Sequence, residues 1–111
     1  MDRAIYRIID ANFNRAREAI RVIEEFCRFA LNSVTLTERA KQLRHELSEA
    51  IGQLDATRLL SSRDTLGDVG IGVQVSEQQV RANLNDSFTA GCKRLTEALR
   101  TLAEVAQTQD S

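Results

Sequence analysis

The sequence predicts an all-α fold, an antiparallel helical bundle of three long helices that carries one glycine-containing functional loop. Three observations predict it. The 111 residues contain no proline, where average usage would place about five or six. Apolar residues recur at every third or fourth position over three long stretches, the period of an amphipathic helix. Three of the five glycines fall between residues 61 and 75, which marks that stretch as a loop between helices.

The first helix is read from Asp2 to about Leu31, with Ile5, Ile9, Phe13, Ala16, Ile20, Ile23, Cys27 and Ala30 as its apolar stripe. Asn32-Ser33 ends it. Thr35 followed by Glu38 has the form of a capping box and opens the second helix, whose stripe is Ala40, Leu43, Leu47, Ala50 or Ile51, and Leu54, with Gly52 near its end. Residues 61–75 then form the loop, with an extended piece at Val73–Val75. Ser76 and Gln79 suggest a second capping box. The third stripe follows through Val80, Leu84, Phe88, Cys92, Leu95, Leu99, Leu102 and Ala106, with a weak point at Gly91. The expected organisation is one helical domain over residues 1–106 and a disordered polar tail over 107–111.

Composition excludes several classes of function. Apolar residues are 42% and charged residues 28%, the balance of a folded domain rather than a disordered one. A net charge of −1 argues against a domain that coats nucleic-acid phosphates. No stretch approaches the apolar run of about 20 residues that spans a membrane. The first residues lack the apolar core of a signal peptide, and unpaired Cys27 and Cys92 suit a reducing, cytoplasmic setting as small buried hydrophobes. His45 is the single histidine, and with two distant cysteines it offers no zinc spacing. A Ser-His-Asp triad would depend on it with no nucleophile elbow.

The chain also repeats itself. Residues 11–25 align with 90–104, with identities at Ala11/Ala90, Arg15/Arg94, Glu18/Glu97, Ala19/Ala98, Arg21/Arg100 and Glu25/Glu104. Apolar spacing is shared cheaply between amphipathic helices, whereas four shared charged positions are not. The plainer reading is a solvated face laced by i, i+3 and i, i+4 ion pairs. The other is a working face covered by a ligand, a helix or a second subunit, which would make the protein a homo-oligomer. Asn12 falls beside the apolar stripe, where its amide needs a partner or lines a cleft. Gly91 takes the equivalent place in the second copy, leaving room for a ligand or for close helix approach.

Three segments carry a resemblance: Asn-Phe-Asn-Arg-Ala-Arg-Glu-Ala-Ile-Arg-Val-Ile-Glu-Glu at 12–25, Arg-Asp-Thr-Leu-Gly-Asp-Val-Gly at 63–70, and Lys-Arg-Leu-Thr-Glu-Ala-Leu-Arg at 93–100. Together they resemble the strictly monofunctional hydroxymethylpyrimidine-phosphate kinases, small helical domains often fused ahead of thiamine-phosphate synthase. The resemblance covers about residues 5–106. It departs from the family pattern at Gly91-Cys92, where the family carries Asn-Phe, so these two residues receive no role. The implied reaction moves a phosphoryl group from ATP to 4-amino-5-hydroxymethyl-2-methylpyrimidine phosphate, with Mg²⁺, and gives the diphosphate.

Such chemistry suits these residue types. The acceptor is a phosphate whose second pKa is near 6, so it needs no strong general base. Charge neutralisation and placement carry the catalysis, and arginine supplies a bidentate fork for phosphate. The resemblance implies Arg15, Arg21, Arg63, Arg94 and Arg100 as the catalytic cations. Asn12, Glu18, Arg44, His45, Thr65, Gly67, Val69, Gly70, Lys93 and Glu97 would serve substrate binding, and Asp64 and Asp68 the metal. Gly67, Gly70 and Gly72 would let backbone amides approach an anion. The plainer reading makes Asp64 a turn acceptor and the glycines turn formers. The loop is neither a Walker A nor a G-x-G-x-x-G sequence. Two rival functions stand beside the kinase: a non-catalytic module that binds the pyrimidine phosphate or docks on thiamine-phosphate synthase, and a purely structural oligomerising domain. A kinase should gather Arg15, Arg94 and the 63–72 loop around one pocket.

Overall fold

The structure, a computed structural model, describes residues 2–71 and 83–109. All regular structure among them is helical: α1 (Arg3–Glu25), a π-helical turn (Phe26–Ala30), α2 (Val34–Ile51), α3 (Ala56–Ser61) and α4 (Leu84–Gln109). No helix among the described residues is long and apolar enough to cross a membrane.

Asp2 opens α1 by accepting the amide of Ile5 at 3.0 Å. With no glycine or proline to interrupt it, α1 runs 23 residues before the π turn. There Leu31 N–H donates to the Phe26 carbonyl at 3.0 Å, so one extra residue fits in the turn. Phe26 and Cys27 are both buried as a result, while Phe29 faces solvent. The stop is local. Asn32 takes φ 55°, the left-handed region that asparagine tolerates, and Ser33 N–H reaches back to the Cys27 carbonyl at 3.0 Å.

The cap of α2 is Ser33 rather than Thr35, its Oγ accepting the Leu36 amide at 3.1 Å. The turn at Asn32 leaves Ser33 extended, so the helix begins two residues before the expected capping box. Gly52 closes α2 at φ −64°, without using the left-handed freedom of glycine. α3 is an addition to the three helices expected from periodicity. Asp55 caps it through the amides of Thr57 and Arg58, at 3.0 and 3.2 Å, and it buries Leu59. The expected extended piece at Val73–Val75, the Ser76/Gln79 cap, Gly72 and Val80 lie outside the described residues. Helix α4 passes through Gly91 unbroken. It also runs past residue 107, where a disordered tail was expected to begin. Polar side chains can end a helix when they bond to it, and the Thr108 hydroxyl donates to the Val105 carbonyl at 2.7 Å.

α1 is the central element, in contact with α2, α3 and α4. Ala16, Ala19 and Ile20 of α1 pack with Leu95 and Ala98 of α4, flanked by Leu43 and Leu47 of α2. Removing an Ile20-sized side chain from water is worth about 1.5–3 kcal/mol. A second cluster joins Tyr6, Ile9 and Leu59 with Ile51, Leu54, Leu102 and Val105. At the opposite end the rings of Phe26 and Phe88 stack at 4.3 Å. These pairings make both α2 and α4 antiparallel to α1. The chain between Ile51 and Leu84 therefore has to return from one end of α1 to the other, which requires a long connection. Its first part is α3 and the glycine-bearing loop.

Candidate functional site

A cavity of about 620 Å³ lies between α1 and residues 62–68. From α1 it takes Arg7, Asp10, Asn12 and Arg15, and from the loop Ser62, Arg63, Asp64, Thr65 and Asp68. Two of the three segments singled out in the sequence thus meet across one space. α1 has to supply several residues to it, because positions three and four apart share a helix face.

One ion pair joins the walls. Arg63 Nε and Nη2 donate to Asp10 Oδ2 and Oδ1 at 2.7 and 2.8 Å, a bidentate, charge-assisted contact. Asp10 is buried. Its hydrogen bonds and charge hold the Arg63 guanidinium still more firmly in its protonated form, above the usual arginine range. Asn12 is buried, and its Nδ2 donates to the Ile8 carbonyl at 2.9 Å, which satisfies the amide while the residue lines the cavity. Arg15 reaches the cavity from an exposed position.

The loop aspartates are both turn acceptors. Asp64 Oδ1 accepts the Gly67 amide at 2.7 Å, and Asp68 Oδ1 the Gly70 amide at 2.8 Å. The expectation that these amides face an anion is corrected accordingly, since the neighbouring carboxylates take them first. Glycine at 67 lets this hydrogen bond stand, since a Cβ there would overlap the Asp64 carboxylate and push it aside. No group of three or more His, Cys, Asp and Glu gathers among the described residues. Asp64 and Asp68 alone make no protein cage for a metal. Their Oδ2 atoms, outside these turn hydrogen bonds, are hard donors of the kind that take a Mg²⁺ held mostly by phosphates and water. Arg7, Arg15 and Arg63 are matched on the cavity wall by Asp10, Asp64 and Asp68, so the wall is formally neutral.

The remaining expected residues lie elsewhere. Gly67, Val69 and Gly70 belong to the loop but not to the cavity wall, and Val69 is almost fully exposed. Glu18 and Arg21 pair with each other at 3.1 Å on the surface, as an ordinary solvated ion pair would. Arg44 pairs with Glu24 at 3.4 Å between α2 and α1, and His45 with Glu49 at 3.0 Å on exposed α2. Lys93, Arg94, Glu97 and Arg100 are exposed on α4 and do not line the cavity. Arg15 and the loop are gathered, whereas Arg94 is not. Gly91 is explained by packing: it is buried against Ala19, Val22 and Ile23 of α1. Asp10, Arg7 and Ser62 were missed. Asp10 left one sequence signal, a carboxylate at the margin of the apolar stripe one turn beyond Tyr6.

Comparison with known proteins gives the family of the chain. Residues 7–111 match the ThiD2 family. Thiamine-phosphate synthase of Rhodopirellula baltica is 48% identical over 109 residues, which cover 98% of this chain and 29% of that protein. The thiamine-phosphate synthases of Nostoc punctiforme and Synechocystis sp. are 39% and 41% identical, over 96% of this chain and 29% and 30% of their own lengths. The chain thus spans about three-tenths of the length of these curated relatives. No solved structure matches it.

Proposed function

The chain belongs to the ThiD2 family, and from that premise we propose that it is a cytoplasmic, ATP- and Mg²⁺-dependent kinase of thiamine biosynthesis that converts 4-amino-5-hydroxymethyl-2-methylpyrimidine phosphate to the diphosphate. One observation carries the reading: the 12–25 block and the 63–70 loop, distant in sequence, wall a single cavity with Asn12, Arg15, Arg63, Asp64, Thr65 and Asp68. In the proposed reaction an acceptor phosphate oxygen attacks the γ-phosphorus of ATP, the bond to the bridging oxygen breaks, and ADP leaves. The acceptor is already anionic, so the protein's task is to neutralise and align.

Arg15 and Arg63 are assigned to the phosphates and Asn12 to an edge of the pyrimidine. Asp64 and Asp68 would hold Mg²⁺, which supplies positive charge at the transferring phosphoryl group. The formally neutral wall supports a need for that cation, because three arginines already balanced by aspartates offer no net positive charge to polyphosphate. Lys93, Arg94 and Arg100, which do not line this cavity, would reach it from a second copy in a homo-oligomer. Thiamine-phosphate synthase, the name borne by the relatives, is the proposed consumer of the product.

A second reading is a non-catalytic module that binds the pyrimidine phosphate or docks on the synthase. It is favoured by the Gly67 and Gly70 amides, already satisfied within the loop. Purified protein with ATP, Mg²⁺ and hydroxymethylpyrimidine phosphate separates the two, with the diphosphate followed by mass. The kinase predicts diphosphate that Asp64→Ala abolishes. Binding without any product by the folded protein supports the module instead.

A further inference from the structure

Asp10 is a carboxylate with 8% exposure on the face of α1 that lines the cavity. A charge taken out of water needs a partner, and its partner is 53 residues away. Arg63 meets it side-on, through Nε at 2.7 Å and Nη2 at 2.8 Å. Asn14, one turn along α1, donates its Nδ2 to the Asp10 carbonyl at 3.0 Å and braces the same face. A guanidinium has five N–H donors. Asp10 takes two, and three remain on Nη1 and the outer edge of Nη2.

Little else among the described residues holds the loop. Among the described residues, the hydrogen bonds of residues 64–71 stay inside the loop: Gly67 to Asp64, Gly70 to Asp68, Asp68 to Thr65 and Ile71 to Asp68. Its large apolar side chains, Leu66, Val69 and Ile71, are exposed and bury no anchor. Among the described residues, the contact of Asp10 with Arg63 is the polar tether from this loop to α1.

We propose that Asp10 is the positioning residue of this site, fixing Arg63 and through it the 64–71 loop so that the free edge of the guanidinium meets a phosphoryl oxygen in the cavity. Asp10 does not touch the substrate. It stops the arginine from swinging to solvent and places the loop aspartates opposite α1. The inference rests on the kinase reading only for the identity of the ligand.

The test compares wild type, Asp10→Asn, Asp10→Glu and the charge-swapped double variant Asp10→Arg with Arg63→Asp. Binding of hydroxymethylpyrimidine phosphate is measured by calorimetry, turnover by mass, loop order by hydrogen exchange at the Gly67 and Gly70 amides, and folding by thermal melting. Asparagine keeps the volume of Asp10 but loses its charge and one of its two acceptors. We expect Asp10→Asn to melt within a few degrees of wild type, to bind at least tenfold more weakly and to exchange its loop amides faster. Asp10→Glu, with the carboxylate kept, recovers part of the affinity. The swapped pair restores loop protection but neither affinity nor turnover, because the guanidinium then hangs from α1.

Full recovery of affinity in the swapped pair would show a mere strut and overturn the proposal. So would unchanged affinity in Asp10→Asn, or no binding by wild type. If the swapped pair does not fold, the Asp10→Asn and Asp10→Glu affinities decide. Wild type that binds without turnover refutes the kinase reading alone and leaves Asp10 to be decided on affinity and exchange.

Discussion

Gly91→Ala should stabilise this protein. Gly91 lies inside α4, where glycine costs about 1 kcal/mol relative to alanine because the unfolded chain has more freedom to lose. A Cβ at this position would meet Val22 Cγ1 at 3.6 Å, Ile23 Cγ1 at 3.7 Å and the Ala19 carbonyl at 3.8 Å. All three are ordinary van der Waals distances, so the methyl enters an existing gap without pushing α1 away. Burying one such group adds up to about 0.8 kcal/mol. The expected gain is about 1–2 kcal/mol, which in a domain of this size raises the melting temperature by roughly 5–10 °C. Thermal melting and urea titration measure it, with the midpoint rising and the m-value unchanged. Turnover should not change, since Gly91 is away from the cavity. A melting temperature equal to or below that of wild type would refute the packing account and return Gly91 to the alternative of space kept for a ligand.

Other substitutions probe the core and the loop. Ile20→Ala, at the centre of the α1–α4 cluster with 1% exposure, should cost about 2–5 kcal/mol in urea unfolding. Gly67→Ala should drive the Asp64 carboxylate off the Gly67 amide, seen as faster exchange at that amide and weaker ligand binding with little change in melting. Burial, and secondarily the neighbouring Cys27, pushes the Cys92 thiol above the ordinary range. Its alkylation at pH 8 should therefore be slower than that of a free thiol. The fold favours the protonated form, so the stability from Cys92 is complete below about pH 8.5 and is lost as pH rises through the raised value. A Cys92→Ala variant should show a correspondingly flatter alkaline limb.

The helices were legible where burial is periodic. Ile9, Ala16, Ile20 and Cys27 were placed on one stripe and are buried, because a 3.6-residue repeat is written in local sequence. What depends on a single local geometry was harder to see. The left-handed turn at Asn32 sets the cap at Ser33 rather than Thr35, and α3, with six residues and one capping aspartate, is too short to show a period. The cavity was half legible. Arg15, Asn12 and Arg63 were singled out, whereas Asp10 gains its meaning only from a partner 53 residues away, which no periodicity encodes. The outward residues Arg21, Arg94 and Arg100 share the repeat's charge pattern, but a repeat alone does not say which copy faces a cavity.

The antiparallel course of both α2 and α4 along α1 bears on how the chain folds as it is made. α1 and α2 are neighbours in sequence and can pair as a helical hairpin at small loop-closure cost. The Ala16–Ile20 face also needs Leu95 and Ala98, which emerge from the ribosome some seventy-five residues later. During that interval the nascent hairpin presents an uncovered apolar stripe, and its exposure to misassembly is set by the arrival time of α4.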